Sequence, residues 1–191
     1  MRRIVALATL AVLAASPASA EVVAQSDAGF VSVNEATAAA SPAALWKVLI
    51  APATWWAPDH TYSGDAASLY LDAQATGCFC ELLPLPKDAP EGTRRGSVEH
   101  AHIVYASPGK ILRMSGGLGP LQSEAVGATL SIALKPEGEG TKITWTYVVG
   151  GYMRPTVETV APMVDKMLGV QVTRLAAKAG EGARGASGSP N

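Results

Sequence analysis

The chain has 191 residues, of which 16% are charged and 48% hydrophobic, and 15 Lys and Arg against 16 Asp and Glu leave a net charge of −1. No basic patch and no alternation of basic with aromatic residues occurs, which argues against nucleic acid as a partner. The length suits a single domain with a real hydrophobic core, and two cysteines are too few for a disulfide framework.

The N-terminus has the three parts of a secretory signal peptide. Arg2 and Arg3 form a basic region, residues 4–15 form an apolar region, and an Ala-Ser-Ala triplet ending at Ala20 forms a cleavage site. The apolar region is too short to span a bilayer, so a buried or amphipathic first helix is the main alternative. We therefore expect a periplasmic or secreted protein that begins at Glu21 after cleavage, with no integral membrane segment in the mature chain.

Composition divides the rest of the chain into three parts. Residues 21–27 are predicted to be a linker, and residues 28–179 a single domain. Residues 180–191 are rich in Gly, Ala and Ser, and we expect a disordered tail.

The first half of the domain mixes short strands and helices. A strand is predicted over 30–37, and Ser41 as N-cap with Pro42 at the first helical position predicts a helix after it. A second short helix is expected over 53–56, and a brief strand over 68–72.

An antiparallel meander follows, with strands predicted over 78–83, 96–106, 110–115, 126–134 and 142–149. If Pro108-Gly109 is a two-residue turn, Tyr105 faces Leu112 and Ile103 faces Met114.

The last hairpin pairs Leu134 with Ile143, Ile132 with Trp145 and Leu130 with Tyr147. All these pairs are apolar, so one face of the sheet is expected to be buried.

The same alternation predicts which side chains of the middle strands point inward. It places Glu99 inward and His100 and His102 outward, and it sets Glu81 opposite Glu99. Two such carboxylates would repel each other, which would favour a protonated group able to act as a general acid. A neighbouring Arg113, Arg94 or water would instead leave both as ordinary carboxylates.

A long helix is predicted over 157–179, with Thr159 as a plausible N-cap and Pro162 in its first turn. Its apolar side must cover the buried face of the sheet. Gln171 lies in the middle of that side, where an amide needs a hydrogen-bond partner. A lined cavity would supply one, and so would a tyrosine hydroxyl in a plain core.

The order of elements and four short motifs resemble the SRPBCC superfamily, which includes START-like lipid carriers, birch-pollen-allergen-like proteins and polyketide cyclases. The branch of closest resemblance is the one named for the activator of a cytosolic heat-shock chaperone ATPase. The motifs are Ser41-Pro42…Leu45-Trp46…Trp55-Trp56, Gly77-Cys78-Phe79-Cys80-Glu81, Ser107-Pro108-Gly109-Lys110-Ile111-Leu112 and Gly140-Thr141-Lys142-Ile143-Thr144.

The resemblance implies an α+β helix-grip fold, in which an antiparallel β-sheet wraps around a long C-terminal helix and two short helices follow the first strand. It also implies an apolar cavity between sheet and helix for a small hydrophobic ligand, with no universal catalytic residues. We expect no cofactor. The chaperone-activating role transfers poorly, because that partner is cytosolic and this chain carries an export signal.

The candidate ligand-binding residues combine adaptable methionines, aromatic rings and a few polar groups, as ligand pockets do. They are Trp56, His60, Tyr62, Glu81, Glu99, Tyr105, Met114, Tyr147, Met163, Met167 and Gln171.

The two cysteines and two of the histidines suggest a second kind of site. Cys78 and Cys80 would lie roughly 6.5–7 Å apart in a regular strand, the outer limit for a disulfide, so we expect free thiols. With His100 and His102 they could form a zinc site, but short side chains on a flat sheet converge poorly, and we predict no metal.

The sequence thus predicts an exported binding protein for a small hydrophobic molecule. An enzyme of the cyclase or hydrolase type, using Glu81, Glu99 or His60 in the same cavity, is the alternative. A ligand-free interaction module is a third possibility.

Overall fold

An antiparallel sheet and a long C-terminal helix make up most of the fold. The computed structural model describes residues 19–187, so the predicted signal peptide lies outside the described residues except for its last two positions. The elements are β1 (Ser19–Ser26), β2 (Gly29–Ala38), α1 (Pro42–Leu49), β3 (Leu69–Leu71), β4 (Cys78–Leu82), β5 (Ser97–Ser107), β6 (Ile111–Ser115), β7 (Ala125–Glu137), β8 (Gly140–Tyr152) and α2 (Val157–Ser187).

The eight strands form one sheet in the order β1-β2-β8-β7-β6-β5-β4-β3, and α2 packs against β1, β2, β8 and α1. This arrangement confirms the predicted α+β helix-grip fold. Ser41 accepts a hydrogen bond from the Ala44 N–H and caps α1 as expected, whereas the second short helix is a 3-10 turn, Pro52–Thr54.

The buried face of the sheet follows the predicted register in its last hairpin. Leu134 lies opposite Ile143, Ile132 opposite Trp145 and Leu130 opposite Tyr147. All six side chains are buried, because alternate residues of both strands face the interior of the domain.

The register of β5 against β6 differs from the prediction in one part. Ile103 pairs with Met114 as expected, but the turn contains three residues, 108–110, with Gly109 in the left-handed region at φ 72°. The extra residue is compensated by a bulge at Val104. Tyr105 therefore pairs with Arg113 instead of Leu112, and its side chain is 50% exposed.

A second bulge reverses the predicted orientation of two residues on β5. Phe79 pairs with Ala101 and Cys80 with Glu99, so His100 is the additional residue between them. His100 and Ala101 are both buried, while the Glu99 side chain is 57% exposed. The predicted inward Glu81–Glu99 pair is therefore wrong, because one inserted residue shifts the alternation.

The same bulge lies opposite the two cysteines, which are joined by a disulfide instead of being free. Their Cα atoms are 5.5 Å apart, closer than in a regular strand and within the range that a disulfide spans. The prediction of two free thiols assumed regular strand geometry and is wrong here.

The segment predicted as a linker is an edge strand. Residues 20–26 belong to β1, which pairs with β2 along residues 29–35. Val22 packs against the core, and α2 also contacts this strand. The edge of β2 is thereby covered, which accounts for order in a segment with weak strand signals.

Helix α2 begins at the predicted residue and extends beyond its predicted end at residue 179. It begins at Val157, and the Thr159 and Val160 N–H groups both bond to the Thr156 carbonyl, so Thr159 is not the N-cap.

The predicted tail is helical as far as Ser187. Gly180 is buried, and Ala183 packs against the core, so tertiary contacts override the predicted stop at Gly180. No helix within residues 19–187 is long and apolar enough to span a membrane.

Candidate ligand-binding cleft

A cleft of about 460 Å³ opens between the first half of α2 and two loops at one end of the sheet. This volume lies within the range of small-molecule sites. The cleft is lined by Trp56 and residues 59–62, by His100, by residues 118–120 and Ser123, and by Met163, Val164 and Met167 of α2.

Aromatic side chains pack together behind the cleft. Trp56 lies 5.0 Å from Phe79 and 6.5 Å from Trp145, measured between ring centroids, and Trp55 lies 6.2 Å from Trp145. These four rings are all buried, so the inner wall of the cleft is rigid and apolar.

His100 forms part of the wall and is held by a buried carboxylate. Its Nε2 lies 2.9 Å from Oε2 of Glu81, and the His100 ring packs between Phe79 and Tyr62 at centroid distances of 4.9 and 5.9 Å. Burial lowers the pKa of His100 and outweighs the opposing effect of Glu81. The imidazole is therefore neutral at neutral pH.

Glu81 is fully buried and accepts hydrogen bonds from the backbone N–H groups of Tyr62 and Ser63 in addition to its contact with His100. Burial raises the pKa of Glu81, but the hydrogen bonds from Ser63, Tyr62 and His100 outweigh burial, and the pKa lies below its ordinary value. The carboxylate is therefore ionised and anchors the loop at residues 61–64. It does not serve as the general acid that the sequence suggested.

His60 is held by a second buried side chain, Gln171. Nε2 of Gln171 lies 2.7 Å from Nδ1 of His60, and Oε1 of Gln171 accepts a 3.0 Å hydrogen bond from the Ala57 N–H. Gln171 is fully buried behind the wall of the cleft and does not line it. Its partners are an imidazole and a backbone amide, neither of which is the tyrosine considered from the sequence.

Arg174 reinforces this connection between α2 and the segment after α1. Its Nε donates to the Trp55 carbonyl at 2.7 Å, and its Nη2 donates to the Trp56 carbonyl at 3.4 Å. Gln171 and Arg174 together fix the backbone of residues 55–57, and through it the position of Trp56 in the cleft.

The opposite wall is positioned by Tyr147. Its hydroxyl donates to the Gly116 carbonyl and accepts from the Leu118 N–H, both at 2.9 Å. Burial raises the pKa of Tyr147. At the mouth, the Tyr62 hydroxyl donates to the Gly119 carbonyl at 3.3 Å and so joins the two loops.

The eleven predicted site residues fall into three groups. Trp56, His60, Tyr62, Met163 and Met167 line the cleft. Glu81, Tyr147, Gln171 and Met114 are buried behind its walls or in the core. Glu99 and Tyr105 are exposed on β5 and do not line the cleft, because the two bulges turn them outward.

Several residues of the cleft are absent from the sequence prediction. They are Asp59, Thr61, His100, Leu118, Gly119, Pro120, Ser123 and Val164. The pair Gly116-Gly117 is the sequence signal that could have indicated a close backbone contact at this part of the cleft. A Cβ at Gly116 would lie 2.5 Å from the His100 carbonyl oxygen, so only glycine permits this close approach.

The possible zinc ligands do not converge. The cysteine sulfurs are bonded to each other, His100 faces inward and His102 is exposed, so the assumption that the histidines share a face was wrong. Within residues 19–187 no group of three or more His, Cys, Asp or Glu could hold a metal ion.

No family model matches the sequence, and the search of curated proteins gives no match. Solved structures do match. A protein from Rhodobacter sphaeroides is 16% identical, with 84% of this chain and 97% of that chain covered and a TM-score of 0.51. A protein from Mesorhizobium loti is 13% identical, with 77% and 94% covered and a TM-score of 0.51.

The di-domain ARO/CYC StfQ from the steffimycin biosynthetic pathway is also similar. It is 13% identical, with 85% of this chain and 53% of that chain covered and a TM-score of 0.57. At these identities the similarity shows the fold and not the activity. The chain therefore shares its α+β helix-grip fold with these solved structures.

Proposed function

We propose that this protein binds a small hydrophobic molecule in the cleft between α2 and the loops at residues 59–62 and 118–123. The observation that carries the proposal is the cleft itself, which combines a volume of about 460 Å³ with apolar walls and a few polar groups. Trp56, Leu118 and Val164 supply buried apolar surface, and Met163 and Met167 can adapt to an irregular ligand.

The similarity to StfQ supports an organic small molecule as the ligand, since that protein acts in the steffimycin biosynthetic pathway. The sequence motifs favour the branch named for the chaperone-ATPase activator, and membership of that branch is part of the proposal. The chaperone-activating role is not.

The pair of inward-facing carboxylates that the enzymatic alternative requires is not formed. Glu99 is exposed, and Glu81 is occupied by two backbone N–H groups and by His100. The ligand-free alternative would need a filled core at this position, where the structure has an open cleft.

Export through the N-terminal signal peptide belongs to the same proposal. The sequence pattern at residues 1–20 supports it, and so does the Cys78–Cys80 bridge, because disulfides persist in oxidising compartments. Intact-mass analysis of material recovered outside the cytoplasm tests it. Glu21 should be the first residue, and full-length protein retained in the cytoplasm would contradict export.

Binding is tested with Nile red, a neutral apolar dye whose fluorescence rises in apolar sites. The wild type should bind it, and Met167→Trp, which fills the cleft, should bind at least about tenfold more weakly. Val170→Trp is the matched control, because Val170 is exposed on the same helix and does not line the cleft. No dye binding by the wild type, or equal binding by all three proteins, would overturn the proposal.

A further inference from the structure

The cleft contains two histidines whose hydrogen bonds differ in direction. We propose that His60 presents a hydrogen-bond donor and His100 an acceptor to the cleft, and that the ligand is a neutral, mostly apolar molecule with both a carbonyl oxygen and a hydroxyl group. This inference rests on the proposed function and specifies its ligand class.

The proton on His60 is located by Gln171. The Ala57 N–H is only a donor, so the Gln171 atom that faces it must be the amide oxygen. The amide nitrogen then faces Nδ1 of His60 at 2.7 Å and donates to it. A neutral imidazole whose Nδ1 accepts carries its proton on Nε2. In His60 the nitrogen left for a ligand is therefore a donor.

The proton on His100 is located by Glu81. An ionised carboxylate only accepts, so Nε2 of His100, 2.9 Å away, must be protonated. No described residue forms a hydrogen bond with Nδ1 of His100, although the residue lines the cleft. In this imidazole the free nitrogen is therefore an unprotonated acceptor. Both rings carry the proton on Nε2. His60 forms its hydrogen bond with the protein through Nδ1, whereas His100 forms its own through Nε2.

The charges around the cleft favour a neutral ligand. No Lys or Arg lines it within the described part of the chain, and Asp59 is the one carboxylate among its lining residues there. A fatty acid or other anion would find no cationic partner and would be repelled by Asp59. A hydroxyl donating to His100 and a carbonyl accepting from His60 would satisfy both nitrogens without a charge.

The tautomers are measurable on the wild-type protein without a ligand. Long-range ¹H–¹⁵N correlation at about pH 8, above the ordinary imidazole pKa, distinguishes protonated from unprotonated ring nitrogens. We expect protonated Nε2 and unprotonated Nδ1 in both His60 and His100. A protonated Nδ1 in either residue would overturn the proposal, whatever the cleft binds.

The ligand class is tested with four probes that share one apolar body. They are ethylbenzene, 4-ethylphenol with a hydroxyl, acetophenone with a carbonyl, and 4-hydroxyacetophenone with both. Each added group should tighten binding by roughly 2- to 10-fold. His100→Phe should abolish the gain in affinity from the hydroxyl and leave that from the carbonyl. His60→Phe should abolish the gain in affinity from the carbonyl and leave that from the hydroxyl. His102→Phe is the matched control, because His102 is exposed on β5 and does not line the cleft.

The two proposals fail in different ways. If none of the four probes binds, the proposed function itself is wrong. If ethylbenzene binds and the polar groups add nothing, the cleft is a hydrophobic site but the donor–acceptor assignment is wrong. If either variant fails to fold, the tautomers and the affinities of the wild type for the four probes still decide the proposal.

Discussion

Glu81 and Glu99 show how strongly the environment decides what a carboxylate does. They lie on the neighbouring strands β4 and β5, but Glu81 is fully buried with three hydrogen-bond partners, whereas the Glu99 side chain is 57% exposed. The first supports a wall of the cleft, and the second interacts mainly with solvent.

The Glu81→Ala variant should therefore be less stable than the wild type. It leaves the N–H groups of Tyr62 and Ser63 and the buried Nε2–H of His100 without their acceptor, which costs about 1–3 kcal/mol of unfolding free energy. Urea unfolding measures this loss. Glu99→Ala, the matched control, should change stability by less than about 0.5 kcal/mol. Equal stability of the two variants would contradict the assigned role of Glu81.

Stability should also decrease towards acidic pH. His100 and Glu81 have pKa values below their ordinary values of 6.5 and 4.5, so the unfolded chain takes up their protons more readily than the folded protein. The free energy of unfolding should fall once the pH drops below 6.5, through His100, and fall further below 4.5, through Glu81. Chemical unfolding at a series of pH values tests this. A free energy that rises or stays constant below pH 6.5 would be inconsistent with these shifts.

Strands and helices differ in how much of their geometry could be predicted. The β7–β8 pairing followed from apolar alternation and a short turn, and it is confirmed by three residue pairs. The bulges at His100 and Val104 could not be predicted, because each inserts a residue without a Gly or Pro to mark it. Each bulge changes which side chains face inward, and that error moved Glu99 and Tyr105 into the predicted site.

The connection between α2 and residues 55–60 is the element-level contact that supports the cleft. Gln171→Leu should remove the acceptor of the buried Ala57 N–H and the partner of His60, with a loss of about 1–3 kcal/mol in unfolding free energy. Thermal or urea unfolding measures it. Thr173→Ala on the exposed side of α2 should remain within about 0.5 kcal/mol of wild type. A Gln171→Leu protein as stable as the wild type would show that this connection contributes little.

For the molecule as a whole, the order of elements predicted the fold, and the apolar side of α2 predicted the side on which the cleft lies. The composition of the cleft could not be predicted in full. Leu118, Pro120 and Ser123 belong to the 3-10 helix Gly119–Ser123 and the residue before it. The path of this segment depends on Tyr147 and on the close approach of Gly116 to β5, and neither contact follows from a periodic pattern in the sequence.

The redox state of Cys78 and Cys80 can be tested on the whole chain. Thiol titration in denaturant without reductant should find no free thiols, and reduction should release two per chain. The bridge closes a very short loop, so its removal should cost at most about 2 kcal/mol. Cys78→Ser is the control and should show one free thiol. Two free thiols in the unreduced wild type would restore the expectation drawn from strand geometry.

The central claim, that the cleft binds a small hydrophobic molecule, is tested most directly by methyl NMR of the methionines during titration with 4-ethylphenol. Met163 and Met167 line the cleft, whereas Met114 is buried in the core. We predict saturable shifts of the Met163 and Met167 methyl resonances. The resonances of Met114 and of Met153, which packs against the core and does not line the cleft, should remain nearly unchanged. Methyl resonances of Met163 and Met167 that do not respond at saturating probe would contradict the claim.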